Sequence, residues 1–264
     1  MSDYKAGRYV RKEIAPLDKL HLSAEQVPVT IDDAYRFLRK QIGDDPDYGA
    51  AWKLGGTTEV TRRIFDVEKL YFGPLHKSEV FTASCVAPGR SLFELKGEAE
   101  IALRIAPQAG DILAQGKVQI DNAKNTELFD AWCVALELPS SPIENLVEAG
   151  VNALVADRCA SGALVLGSAH LFETSTDWLG AILRTEQNGE VIAEGRSDAL
   201  VTTPDICARD FLVEALERGF SPKPGQWIST GGLTPCIAFE NGATIGVFYN
   251  ESQAFSFTAG DKAA

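Results

Sequence analysis

An α+β domain rich in strands, preceded by a small helical region, is what the apolar patterning of this chain predicts. Three observations carry that expectation. Tyr35, Phe37, Leu38 and Ile42 recur at near-helical spacing, Glu98 to Ile105 alternates with a period of two, and Asn188-Gly189 separates two strand-like runs. The 264 residues, 45% of them apolar, fit one large domain or two small ones at roughly 100–200 residues each. A chain of this size buries roughly 70–75% of its unfolded surface and needs no disulfide or metal to hold a core.

Each element has its own signal. Thr30 followed by Asp33 forms a capping-box pattern with Asp in place of Glu, and Asp44-Asp45-Pro46-Asp47 stops the helix that follows. A second short helix is expected over Glu59 to Val67. Strand texture begins near Val80, so the expected boundary divides a helical region, 1–79, from a β-rich catalytic domain, 80–264. In Glu98–Ile105, Ala99, Ile101, Leu103 and Ile105 face one way, and Glu98, Glu100, Ala102 and Arg104 the other. Trp132 to Leu138 reads as another strand, and Ala181–Glu186 with Glu190–Ala193 as a hairpin. Thr203-Pro204 opens a helix that runs to Gly219. Two or three strands split by Asn241-Gly242 complete the chain from Trp227 to Phe257.

Charge narrows the function. With 25 Lys+Arg against 37 Asp+Glu the net charge is −12, against a nucleic-acid or anionic-membrane partner. No run approaches the roughly 20 apolar residues of a membrane span. Met1 to Ala15 has no apolar stretch of the secretory kind. Cys85, Cys133, Cys159, Cys207 and Cys236 show no metal-ligand spacing, and free thiols in a reducing, cytoplasmic compartment are expected. His21, His76 and His170 show none either.

Five features could carry chemistry. Glu98 and Glu100, at i and i+2 of a strand, point to one face, as two ligands of one hard cation or as solvated surface charges. Glu137 ends a small-residue strand face, as a third ligand or as a strand-end charge. Lys53, between apolar residues and before Gly55-Gly56, projects from a strand end into a crowded turn, as a proton carrier or a snorkelling surface lysine. Ser229-Thr230-Gly231-Gly232-Leu233-Thr234-Pro235 offers hydroxyls and backbone N–H groups that can hold a carboxylate, or is a plain turn. Arg104, further along the Glu98 face, could reach a distal substrate carboxylate or form a salt bridge across the sheet.

The order of these features, from about Ala50 to Phe257, resembles the fumarylacetoacetate hydrolase superfamily. Within it, the resemblance is to the branch of 2-keto-4-pentenoate hydratases and 4-oxalocrotonate decarboxylases. The motifs are Lys53-Leu54-Gly55-Gly56-Thr57, Tyr71-Phe72-Gly73-Pro74-Leu75, Glu98-Ala99-Glu100-Ile101-Ala102-Leu103 and Ala135-Leu136-Glu137-Leu138. Asp157-Arg158-Cys159-Ala160-Ser161-Gly162 with Val165-Leu166-Gly167, then Thr230-Gly231-Gly232-Leu233-Thr234, complete the set. The resemblance implies a mixed β-roll with flanking helices, assembled as a homo-oligomer or paired with a related subunit. It implies Mg²⁺ or Mn²⁺ on Glu98, Glu100 and Glu137, an active-site Lys53, Thr234 against a substrate carboxylate, and supporting roles for Asp157 and Ser161.

The activity so implied is hydration of a 2-hydroxy-2,4-dienoate to a 4-hydroxy-2-oxo acid through a metal-bound enolate, in aromatic meta-cleavage catabolism. Alternatives are decarboxylation of a 4-oxalocrotonate-like diacid and a non-catalytic partner subunit. An acylpyruvate hydrolase fits less well, for lack of a His-Glu pair near the start. The chain departs from the family pattern at several places. Ala99 stands where proline commonly separates the glutamates, and His76-Lys77-Ser78 where an acidic residue is usual, with Glu79 as its substitute. Arg158 replaces a frequent Asn and Gly232 a frequent Ser, and Glu194-Gly195-Arg196-Ser197-Asp198 replaces a more glycine-rich segment.

Overall fold

The computed structural model describes residues 19–83 and 92–260. Cys85 and the Met1–Ala15 stretch lie outside the described residues. A helix α1 (Ile31–Ile42) opens the described chain, capped as expected by Thr30, whose hydroxyl accepts the Asp33 N–H. Then come β1 (Tyr48–Gly55), α2 (Glu59–Phe65), β2 (Tyr71–His76), β3 (Val80–Thr82) and β4 (Lys96–Ile105). Three short helices follow, α3 (Ala109–Gln115), α4 (Lys117–Asn122) and α5 (Asn125–Leu128), before β5 (Phe129–Leu138). The middle of the chain forms α6 (Leu146–Ala156), β6 (Ala163–Leu166) and β7 (His170–Leu171). The hairpin of β8 (Ile182–Gln187) and β9 (Glu190–Arg196) leads to α7 (Pro204–Glu217). The chain closes with β10 (Trp227–Ser229), β11 (Ile237–Ala238), β12 (Thr244–Tyr249) and β13 (Ser252–Thr258).

Nine strands form one large mixed sheet, seven of them in the order β2-β1-β10-β4-β5-β6-β3 with β11 paired to β4 and β7 to β5, and β13-β12-β8-β9 form a second. The connection between β2 and β3 forces the large sheet to curl. In a flat sheet six inter-strand spacings of about 4.8 Å would hold these outer strands about 29 Å apart. Only residues 77–79 join them, a link that spans about 14 Å when fully extended. The sheet therefore rolls up, with one face turned inward.

The outward face meets the helices. Trp52 and Phe72 pack with Tyr35 of α1, Phe211 of α7 and Phe220 in an aromatic cluster. Phe72 stands 4.7 Å from Tyr35, 5.1 Å from Phe211 and 5.3 Å from Phe220, centroid to centroid. Ala99, Ile101, Leu103 and Ile105 of β4 belong to this same core, so the alternation read in the sequence is the alternation of the strand. The inward face carries a smaller apolar cluster of Ala51, Leu75, Ala102, Cys133, Ala135, Leu164 and Leu166.

The expected boundary at residue 79 does not hold. β1 pairs with β10 and β2 with β1, so residues 48–76 are part of the large sheet rather than of a separate helical region. Tyr48–Gly55 is buried on both faces and rich in small residues, which removes the polar–apolar alternation that reveals a half-exposed strand. The final segment holds four strands rather than two or three, with Asn241-Gly242 between β11 and β12. The helices α3 to α6 have no counterpart in the sequence reading. Among the described residues no helix is long and apolar enough to cross a membrane.

Phe72 has no exposed surface and meets four aromatic rings. Phe72→Ala is expected to lower unfolding stability by about 3–5 kcal/mol, read from the denaturant midpoint, because the ring's neighbours are fixed on three separate elements.

Candidate metal centre

The inward face is where the charged residues meet. Glu98 and Glu100 project from β4, and Glu137, directly opposite Glu98 in the β4–β5 ladder, projects from the end of β5. Ligand oxygens of the three carboxylates lie within 4.8 Å of one another. Lys53 enters from β1, 7% exposed, with its Nζ 2.9 Å from Glu137 Oε1. The sequence could not choose between ligand and surface charge for these residues; the structure buries Glu100, Glu137 and Lys53.

Burial and crowding raise the carboxyls. Glu98 is pushed up to about 7, first by loss of water and then by the charge of Glu137. Glu100 rises by burial and by Glu98 and Glu137, against the hydrogen bonds that it accepts. Glu137 also rises by burial, with Lys53 opposing. For Lys53 burial works against the charge, but Glu137 and Glu98 outweigh it and hold the amine protonated. When all three carboxyls are ionised, one ammonium leaves two negative charges uncompensated. A divalent cation cancels that excess, and an all-oxygen donor set suits Mg²⁺, Mn²⁺ or Ca²⁺ rather than zinc.

The loop 229–235 closes over β4. Ser229 Oγ donates to Glu100 Oε2 at 2.5 Å and the Gly231 N–H to the same oxygen at 2.9 Å. The expected carboxylate-holding loop therefore does hold a carboxylate, and it is the protein's own. Gly232 lies so close to Glu98 that a Cβ would overlap its carboxylate. Thr234 accepts the Ala99 N–H at 2.8 Å, which pins the loop between the two β4 glutamates. Gly195, in the segment that departs from the family pattern, abuts the Leu233 carbonyl.

Asp157 and Ser161 lie in the bend between α6 and β6. Asp157 accepts from Ser141 Oγ at 2.6 Å, and Ser161 Oγ donates to the Arg158 carbonyl at 2.6 Å. Both hydrogen bonds are internal to the bend and its neighbour, the 139–145 segment. Arg104 takes the salt-bridge role, with Nε and Nη2 each 2.9 Å from an Asp130 oxygen. The inward apolar cluster, with Ala102 between Glu100 and Arg104 on the strand face, separates it from the carboxylates.

Among the described residues one other group could gather around an ion, Asp45, Asp47 and His76. Its carboxylates are exposed, and His76 Nε2 is 4.0 Å from each. His21 pairs with Glu144, and His170 stacks on Trp132. Cys133, Cys159, Cys207 and Cys236 are free thiols, the first three buried. Sequence reasoning missed Tyr71, a buried hydroxyl whose proton is held by burial and which senses Lys53 and Glu98, and the partnership of Glu79 with Arg158. No spacing signal marks either.

No family model matches the chain. The 2-keto-4-pentenoate hydratase of Burkholderia vietnamiensis is 28% identical over 194 residues, 73% of this chain and 71% of that protein. In fold the chain is similar to 4-oxalocrotonate decarboxylase from Pseudomonas putida G7, solved with calcium and acetate. The TM-score is 0.69 at 23% identity, over 88% of this chain and 85% of that one. Fumarylpyruvate hydrolase from Pseudomonas aeruginosa, solved with Mn²⁺ and pyruvate, gives a TM-score of 0.56 at 15% identity, over 80% and 88%. The curled mixed sheet with flanking helices is thus the β-roll of this fold family.

The raised carboxyls give the pH dependence its sign. Unfolded glutamates titrate near 4.3, so the metal-stripped protein binds more protons folded than unfolded between that value and about 7. The stability these groups contribute is complete at acid pH and lost as pH rises through about 7. Melting of the stripped protein should fall from pH 5 to pH 8, more steeply than in Glu98→Gln. Mg²⁺ should restore stability increasingly as pH rises, because it displaces protons from its ligands.

Proposed function

From a chain that resembles the fumarylacetoacetate hydrolase superfamily in sequence and in fold, on its branch of hydratases and decarboxylases, we propose a divalent-metal-dependent lyase. Its reaction is hydration of a 2-hydroxy-2,4-dienoate of the 2-keto-4-pentenoate type to a 4-hydroxy-2-oxo acid, in aromatic meta-cleavage catabolism. The observation that carries this reading is the trio Glu98, Glu100 and Glu137, the last two buried, with Lys53 beside it.

The trio is the holder of Mg²⁺ or Mn²⁺, and such an ion supplies Lewis-acid stabilisation of negative charge on the oxygens of a 2-oxo acid. The chain's own residues supply the rest. Lys53 Nζ holds a proton at the edge of the trio and is the group placed to give or take one at the substrate's carbon skeleton. Ser229 and the Gly231 N–H fix the orientation of Glu100, so this ligand is preorganised. The 229–235 loop lies against β4, and Gly232, having no side chain, leaves room for the Glu98 carboxylate. Asp157, Ser161 and Thr234 hold the walls against which the substrate's carboxylate and chain would lie. The natural setting is a soluble homo-oligomer in the cytoplasm.

Decarboxylation of a 4-oxalocrotonate-like diacid is the second reading, supported by the fold likeness to a 4-oxalocrotonate decarboxylase. Both reactions need the same stabilised charge and the same proton carrier, and they differ in whether water is added or CO₂ is released.

Calorimetric binding of oxalate to metal-stripped protein, with and without Mg²⁺, tests the site whichever 2-oxo acid is its natural substrate. Binding only with Mg²⁺, abolished in Glu100→Gln, is the expected result. No binding in either condition would leave the fold without this chemistry and favour the non-catalytic partner subunit. On dienoates that are turned over, Lys53→Met should lower kcat by about 10²–10⁴-fold, the usual range for loss of a general acid–base group. Measured CO₂ release decides between the two reactions.

A further inference from the structure

Two charged side chains that the carboxylate site does not use are buried in the molecule. Arg158 is 1% exposed and Glu79 5%. Arg158 Nη1 donates to both Glu79 oxygens, at 3.0 and 3.2 Å, and Nη2 to the Ser161 carbonyl at 3.3 Å. The guanidinium also lies over the Tyr48 ring, 5.5 Å from its centroid. Glu79 accepts the His76 N–H at 3.0 Å. The pair therefore ties the end of β2 to the bend between α6 and β6.

That bend has an unusual backbone. Arg158, Cys159 and Ala160 have φ of +54°, +57° and +55°, three consecutive side-chain-bearing residues in the left-handed region. Such residues disfavour that region individually, and a run of them has no local preference for the shape. Something outside the run must hold it. The Ser161 N–H and Oγ return to the Arg158 carbonyl, and the Arg158 side chain anchors to Glu79.

The arch so formed leans on the neighbours of both Lys53 and Glu137. A Cβ at Gly73 would overlap the Arg158 carbonyl, and Gly73 stands directly opposite Lys53 in the β1–β2 ladder. On the other side the Ala160 carbonyl accepts the Ser140 N–H at 2.7 Å, three residues beyond Glu137. Cys159 at the crown is buried and senses the charges of Lys53 and Glu137.

We propose that Glu79 and Arg158 are positioning residues. Their buried ion pair holds the 158–160 arch in its left-handed form, and the arch in turn fixes Lys53 against Glu137. The inference rests on the reading of Lys53 and the three glutamates as the working site. Neither Glu79 nor Arg158 touches the reacting groups, so both act through the arch.

The test uses the full chain and needs no substrate. Brief acetic anhydride labelling, mapped by mass spectrometry, reports how often Lys53 Nζ leaves its partner. Glu79→Gln and Arg158→Met are each expected to speed labelling of Lys53 by about tenfold or more, and the double variant by no more than either alone. Ile120→Ala, a core variant in α4, serves as the control of comparable thermal stability and should leave the Lys53 rate unchanged. If Arg158→Met does not fold, Arg158→Lys with Glu79→Gln carries the same comparison. A wild-type Lys53 rate in the folded variants, or an equal rise in Ile120→Ala, overturns the inference. Full turnover in Lys53→Met would instead sink the assigned role of Lys53, a result separable from the labelling rates.

Discussion

Three carboxylates share one inward sheet face with a single lysine, and the rest of the structure is arranged around that concentration of charge. Like charges within 4.8 Å of one another and out of water repel strongly. The fold tolerates them because Lys53 compensates Glu137, and Ser229 with the Gly231 N–H compensates Glu100. What remains is an excess of negative charge that protons or a cation must offset. The site is therefore a place where the native state is locally costly, as functional sites commonly are.

The curled sheet supplies the geometry for this arrangement. Rolling the β2–β3 ends together turns the Glu98, Glu100 and Glu137 side chains toward the β1 lysine, although β1 and β5 are three strands apart in the order. Small residues make the inward turn feasible. Ala51, Ala102 and Ala135 line the interior beside the charged row, and Leu164, Leu166 and Leu75 fill the remainder. The interior thus has an apolar end and a charged end, and Arg104, beyond the apolar end, finds Asp130 instead of the glutamates.

Much of this was legible in the sequence, for reasons that differ by element. The β4 strand was legible because its period of two has a physical origin in the pleat, and the Asn188-Gly189 turn because its backbone demands positive φ at Asn188 and Gly189, 52° and 88°. The helix at Pro204 was legible from its first-turn proline, although the Thr203 hydroxyl makes no capping hydrogen bond. β1 showed only as the strand end that carries Lys53, and β2 not at all, because burial on both faces erases alternation, which is also why the boundary at 79 failed. For the site, the spacing of Glu98 and Glu100 fixed their shared face but not their burial, which depends on elements as far along the chain as the 229–235 loop. The ligand set itself came from a resemblance rather than from spacing. The Glu79–Arg158 pair was invisible for the same reason: its partners are 79 residues apart and are brought together by the pairing of β3 with β6.

The three glutamates are chemically identical in sequence and different in place. Glu100 is held by a hydroxyl and a backbone N–H on a single oxygen, so its orientation is set by the 229–235 loop. Glu137 is set by Lys53 from the opposite side of the roll. Glu98 faces Gly232, where the absent side chain leaves its carboxylate room, and the Thr234–Ala99 hydrogen bond keeps that loop from collapsing onto it. One carboxylate is thus fixed by a hydroxyl and a backbone N–H, one by a neighbouring charge and one by the space left around it. Two of these supports come from the 229–235 loop and the third from β1, so the geometry of the centre depends on closure of the whole sheet. A local change in the 229–235 loop would therefore disturb Glu98 and Glu100 together, and a change in β1 would disturb Glu137.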